Sequence, residues 1–278
     1  MSELERIEQL EREIRELKGL NEEGIPTYSF SNINFSNLEK LVNIEENIHK
    51  EEPLKNWFNN SIEVSKDTIL FLEKLIKRNI KLIKFYNEED LKVNFIMPLV
   101  NYIDFFLLEN NIRSFANEKL IYRTEKFIFN GEADFIFSKG IKKAVQPYFF
   151  IQEFKKGKNR KDPEPQLLAE LISAIELNNE ISMRGAYIVG AIWNFVILEK
   201  LGKDKYQYFV SENFDSTKIE DLKGIYRNLM FVKNEIIEKI KSEKESSRND
   251  TEYLLSNKKN AKRLLNSIKF ISNCVVSN

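Results

Sequence analysis

The stretch KLIYRTEKFIFNGEADFIF, Lys119 to Phe137, and the QPYFFIQEFK downstream of it, Gln146 to Lys155, decide the fold. Lys119 to Phe129 is dense in aromatic and β-branched residues, which suit a pleated, half-buried surface. Asn130-Gly131, the strongest two-residue hairpin signal, comes next, and Glu132 to Phe137 then alternates again. Gly140 marks a second turn, and Gln146 to Phe154 reads as a third strand. The expectation is an antiparallel meander of three strands.

Working outward, Asp162-Pro163-Glu164 opens a helix with an Asp cap, Pro at the first position and an acid in the first turn. Its apolar face is Leu167, Leu168, Leu171, Ile172 and Ile175. Strand patterns return at Ala186 to Ile192, Phe195 to Glu199 and Tyr206 to Val210. Two helical stretches follow, one through Leu222, Ile225, Leu229, Val232, Ile236 and Ile240, the other through Leu264, Leu265, Ile268 and Ile271, with the polar Ser242 to Asp250 between them as a loop. Upstream, Asn87 caps a helix whose first turn is Glu88, Glu89 and Asp90, and which Pro98 kinks or restarts. Phe35 to Phe85 reads as helical with breaks at Pro53 and near Ser61. At the start, Ile7, Leu10, Ile14 and Leu17 form a heptad seam; so short a helix must pair with the body of the chain or with a second copy. There is no internal repeat.

Composition narrows the chemistry. Lys and Arg number 43 against 43 Asp and Glu, with one His and one Cys. A structural zinc site needs about four Cys or His ligands and a catalytic one usually about three with His prominent, so His49 and Cys274 can build neither. Serine and cysteine hydrolases pair their nucleophile with a His base, and His49 lies in a polar stretch that reads as surface. A single Cys excludes an internal disulfide and fits a reducing, cytoplasmic setting. No apolar run approaches the ~18 residues that span a bilayer, so no membrane partner is expected. With 42% apolar residues and 21 Phe, the chain has ample core material, and its catalytic groups, if it has them, are carboxylates, lysines and an added metal.

Strand side chains alternate faces, so Glu132 and Asp134 share one face, as do Glu153 and Lys155. Adjacent strands can gather these acids and one ammonium at a sheet edge, where a divalent cation makes their proximity tolerable. Mg2+ or Mn2+ accepts one or two carboxylates together with waters and phosphate oxygens. Lys155, Lys156, Lys158, Arg160 and Lys161 put a basic strip beside these acids, suited to phosphates, with Arg123 and Lys126 as further candidates on the first strand. The ordinary reading of such a strip is a solvated loop. Tyr122, Tyr148 and Trp193 are aromatic candidates for base stacking, although aromatics at strand spacing usually belong to a core.

These residues resemble the PD-(D/E)XK nuclease superfamily, whose pattern is an acid on one strand and acid-x-Lys on the next, here Asp134 and Glu153-Phe154-Lys155. The family's Pro is absent, since Ala133 precedes Asp134, but Gly131-x-x-Asp134 is a shared pattern. Family members also carry an upstream helical Glu, matched by Glu88, and a Gln early in the helix after the Lys strand, matched by Gln166. The resemblance runs from about Glu88 to Val210. It implies a mixed α/β fold, a restriction-endonuclease-like core: a central mixed sheet with an antiparallel three-strand meander flanked by helices, with helical additions at both ends. The implied organisation is 1–24, a heptad helix that can dimerise; 25–86, a helical region; 87–215, the nuclease-like core; and 216–278, a C-terminal helical region.

The function expected is Mg2+-dependent hydrolysis of phosphodiester bonds in DNA, in restriction or anti-phage defence. Asp134 and Glu153 hold the metal, with Glu88 and Glu132 as further candidate ligands; Lys155 orients or activates the water, and Gln166 supports the site. A first-turn Glu88 equally serves its helix dipole, and Gln166 equally faces water. The alternative is a catalytically inactive nucleic-acid-binding or oligomerising module on the same fold, and a third reading is a helical scaffold whose acids are merely surface.

Overall fold

The three-strand meander is the middle of a larger sheet. The computed structural model describes residue 6 and residues 24–50, 52–155 and 162–256. In chain order the elements are β1 (Thr27–Ser29), α1 (Phe35–Leu41), β2 (Asn43–Glu46), α2 (Glu52–Phe58) and α3 (Lys66–Asn79). Next, α4 (Glu88–Leu91) runs through a π-helical turn, Lys92–Ile96, into α5 (Met97–Ile103). The remainder is β3 (Ile112–Arg123), β4 (Ile128–Lys139), β5 (Val145–Lys155), α6 (Pro163–Asn178), β6 (Ser182–Val189), β7 (Ile192–Gly202), β8 (Lys205–Val210), β9 (Phe214–Asp215) and α7 (Ile219–Ser256). Among the described residues nine strands form one mixed sheet in the order β1-β4-β5-β6-β7-β8-β2, with β3 on the other edge of β4 and β9 on β7. The pairs β1/β4, β5/β6 and β2/β8 are parallel and the rest antiparallel. Among the described residues, those up to Val232 form one compact unit and those from Lys233 onward another.

The meander therefore stands, and its third strand and the helix after it begin within a residue of expectation. Its first turn does not fall at Asn130-Gly131, which lie inside β4. The chain reverses at Thr124–Phe127 instead, where the Thr124 hydroxyl accepts from the backbone N–H of Lys126 (3.1 Å) and Phe127 (2.9 Å). Gly131 serves contact rather than turning: a Cβ there would come within 2.7 Å of the Phe30 ring.

Region 25–86 is not wholly helical, because β1 and β2 add parallel edges to β4 and β8. Such short strands carry little periodicity and are fixed by partners far along the chain. Pro98 restarts the helix, occupying the first turn of α5, where its missing N–H is not needed. Ser242 to Asp250 continues α7 instead of forming a loop. The stretch is polar, but Glu243, Lys244, Glu245 and Arg248 favour helix, and just before it Lys241 bonds Glu238 at 2.8 Å along the exposed face. The heptad seam and the Leu264–Ile271 stretch lie outside the described residues.

Helix α6 covers one face of the sheet. Leu167, Leu168, Leu171, Ile172 and Ile175 are fully buried against Phe129, Ile136, Ile151, Val196 and Leu198. Each such side chain contributes roughly 1.5–3 kcal/mol, so the helix is anchored firmly and its first turns are held over the end of β5. On the opposite face Trp57, Phe58, Phe195 and Phe214 pack edge to face, and the Trp57 indole donates to the Asn228 carbonyl of α7 at 3.0 Å.

Candidate active site

A break in the pairing of β4 with β5 makes the site. Their ladder ends at Phe135–Gln152. Beyond it Glu153, Phe154 and Lys155 pair only with β6, while β1 meets β4 no further than Asn130. Gly131 to Asp134 are therefore left with a free edge between two partners. On the other edge the β3 ladder passes over Asn117 and Asp134, where Asn117 takes a left-handed φ of 51°. Asn tolerates that conformation better than most residues. The resulting cleft, about 750 Å³, is lined by Asp134, Glu153, Lys155 and Gln166, together with Asn117, Asn130 and Ser29.

Within it each acid has a distinct environment. Asp134 Oδ2 accepts the Phe154 backbone N–H at 2.9 Å, and its Oδ1 accepts the Lys92 ammonium at 2.7 Å. Glu153 is 1% exposed; its Oε1 accepts the Lys155 ammonium at 2.5 Å, its buried Oε2 meets no donor, and the carboxyl lies beside Asp134, which it can bond only while one of the two carries a proton. Burial, and then the charge of Asp134, push the Glu153 pKa up to about 8. Burial alone would lower the pKa of Lys155, but the negative charges of Glu153, Asp134 and Glu88 outweigh it and hold the ammonium above its usual range. Beneath them Glu170 is wholly buried, accepts the Gln166 amide at 3.1 Å through Oε1 and leaves Oε2 unpartnered. Burial, and next the charge of Glu153, hold its carboxyl well above the ordinary carboxylate range.

Of the residues expected from sequence, Asp134, Glu153, Lys155 and Gln166 meet in this cleft. Glu132 lies at its rim, exposed and opposite Lys119 of β3. Glu88 is half-buried at the start of α4, beside the capping box of Asn87 and Asp90; its charge reaches Lys155. Arg123 and Lys126 line a separate recess with Glu176, Lys200 and Asp204. Lys156, Lys158, Arg160 and Lys161 lie outside the described residues. Trp193 is fully buried, whereas Tyr122 and Tyr148 are partly buried against the core beneath α6. His49 is exposed.

Sequence reasoning missed three participants. Lys92 lies four residues after Glu88, one turn along the same helical face, a spacing that could have flagged it. Glu170 stands alone as a carboxylate within an apolar helix face, four residues after Gln166. Asn117 carried no signal.

The donor set fits a hard divalent cation in one respect. A buried carboxylate oxygen without a partner is costly, and a cation beside it removes both the missing bond and the repulsion from Asp134. Among the described residues no group of three Asp, Glu, His or Cys side chains forms a finished metal cage. Two adjacent carboxylates with open space beside them suit Mg2+, which keeps several waters and takes substrate oxygens. Among the described residues no helix is long and apolar enough to cross a membrane. No protein-family model matches the chain, and a search of curated proteins finds no matching sequence.

Proposed function

We propose that this protein is a Mg2+-dependent nuclease, built on a restriction-endonuclease-like core, that hydrolyses phosphodiester bonds in DNA. One observation carries the reading: Asp134, Glu153 and Lys155 converge where β4 and β5 part, in a cleft of about 750 Å³, with the buried Glu153 Oε2 offered no donor. The order helix, three-strand meander, helix and parallel strand, from α4 to β6, supports the same core. Asp134 and Glu153 would hold the ion. When bound, it stabilises charge on the phosphodiester and acidifies a water.

The protein's own groups then divide the work. Lys155, fixed by Glu153, presents an ammonium that can orient the attacking water or neutralise charge developing on the phosphate. Gln166 holds Glu170 in place beneath Glu153. Glu88 adds negative charge that keeps Lys155 protonated. A cytoplasmic location, a role in restriction or phage defence, and dimerisation through the N-terminal heptad belong to the same proposal.

Incubation of the pure protein with end-labelled duplex DNA, single-stranded DNA and RNA, with Mg2+, Mn2+ or EDTA, tests it. Metal-dependent cleavage of DNA is expected, reduced at least about a hundredfold in Glu153→Ala and Lys155→Ala. Undiminished cleavage by both variants overturns the assignment. One observation favours a silent nucleic-acid-binding module: both Asp134 oxygens already have partners. That reading predicts salt-sensitive binding, no cleavage in any metal and indifference to Asp134→Asn.

A further inference from the structure

The ammonium on Asp134 comes from a residue whose placement is unusual. Lys92 is the first residue of the π-helical turn between α4 and α5. Such turns are rare and recur at functional sites. Its side chain is 13% exposed, its Nζ is 2.7 Å from Asp134 Oδ1, and it lies 5.3 Å from the centre of the Phe154 ring. The same Asp134 holds the Phe154 N–H through its other oxygen, so Lys92, Phe154 and Asp134 form one contact group at the mouth of the split. Lys155 plays the equivalent part for Glu153. In this arrangement Asp134 and Glu153 each face one ammonium, and Lys92 rather than a metal meets the charge of Asp134.

A divalent cation cannot simply be added to such a site. The open ligand is Glu153 Oε2, but an ion shared by both acids needs an Asp134 oxygen, and Oδ1 is the one held by a side chain able to leave. We infer that Lys92 is a resident cation that competes with the divalent metal for Asp134 and, once displaced, supplies positive charge to the nucleic-acid backbone. This inference rests on the metal-dependent reading above.

Two consequences follow from charge alone. Metal entry leaves the cleft more positive even after Glu153 gives up its proton, so nucleic acid binds more tightly after the metal, and by reciprocity the metal binds more tightly in its presence. Removing Lys92 should then have opposite effects on the two ligands: the metal gains affinity because it no longer displaces a charged hydrogen bond, while the backbone loses one cation.

Titration with MnCl2 alone, by calorimetry and without nucleic acid, tests the first effect in the full chain. Lys92→Met should bind Mn2+ about tenfold more tightly than the wild type, the scale of one charged hydrogen bond. Asp134→Asn should abolish binding in both backgrounds. With Mn2+ saturating, the dependence of duplex binding on salt should fall by about one phosphate contact in Lys92→Met. If Lys92→Met does not fold, Lys92→Gln replaces it. Acetic anhydride labelling of the wild type needs no variant: Lys92 acetylation, read by peptide mass spectrometry, should rise on Mn2+ saturation. Mn2+ binding that Asp134→Asn removes, with unchanged or weaker affinity in Lys92→Met and constant Lys92 labelling, overturns this inference and leaves the nuclease reading standing. Absence of Mn2+ binding in both wild type and Lys92→Met overturns both.

Discussion

Replacing Glu153 by Gln isolates the energetic cost built into the site. The carboxyl is 1% exposed, and burial, then the Asp134 charge, move its pKa from an ordinary 4.5 to about 8. An unfolded chain releases this proton near pH 4.5 while the fold keeps it to about 8, so stability falls as pH rises between those values. Below that window the group is neutral in both states and contributes nothing. At pH 7 the loss is about 3 kcal/mol, from roughly 1.36 kcal/mol for each pH unit above the unfolded value. Lys155, raised above 10.5, contributes evenly across the window and does not change its position. Gln keeps an acceptor for Lys155 and never ionises, so in EDTA at neutral pH Glu153→Gln should be more stable than the wild type by about 2–3 kcal/mol. The two should converge near pH 4.5. Urea unfolding followed by the fluorescence of Trp57 and Trp193, both fully buried, measures the difference. Millimolar Mg2+ should stabilise the wild type and leave the variant unmoved. A variant less stable than the wild type in neutral EDTA, or a wild type whose stability is flat between about pH 5 and 8, refutes the reasoning.

Glu170→Gln removes the second buried carboxyl held above its usual range, and its metal-free stability should rise in the same pH direction, read by the same unfolding curves. Gly131→Ala drives a methyl to within 2.7 Å of the Phe30 ring and should cost about 1–3 kcal/mol, recovered in part by Phe30→Leu in the double variant. Asn117→Val puts a β-branched residue at a φ of 51° and should cost about 1–3 kcal/mol, seen as a fall in Tm, whereas Asn117→Gly should be nearly neutral. Arg123→Ala alters a recess apart from the cleft and should leave Mg2+-dependent cleavage within about twofold of wild type in the labelled-duplex assay.

The parts of this fold that sequence made legible are those whose signals are local. β5 reads as a strand through its aromatic run, α6 through its Asp162 cap and Pro163, and Asp134, Glu153 and Lys155 through strand alternation. The parts that escaped depend on distant partners. β1 is a strand only because Thr27 to Ser29 lie beside Ile128 to Asn130. Asn130-Gly131 has the composition of a turn, yet Phe30, a residue far upstream, packs on Gly131 and keeps it in β4. Lys92 shares a helical face with Glu88, but nothing local shows that it reaches Asp134. Glu170 hides in the opposite way, a charged residue at a position where periodicity demands an apolar one.

Asp134 also closes a backbone account. The Phe154 N–H, past the end of the β4 ladder, would otherwise need a carbonyl or a water, and it is satisfied by this side chain. The acid proposed to hold the ion is thus the peg that keeps the two strands apart. Asparagine at 134 preserves the acceptor and so separates chemistry from architecture. Alanine removes both, orphaning an amide or letting the strands zip together, and lost activity in Asp134→Ala would report the collapse of a gap as readily as the loss of a ligand.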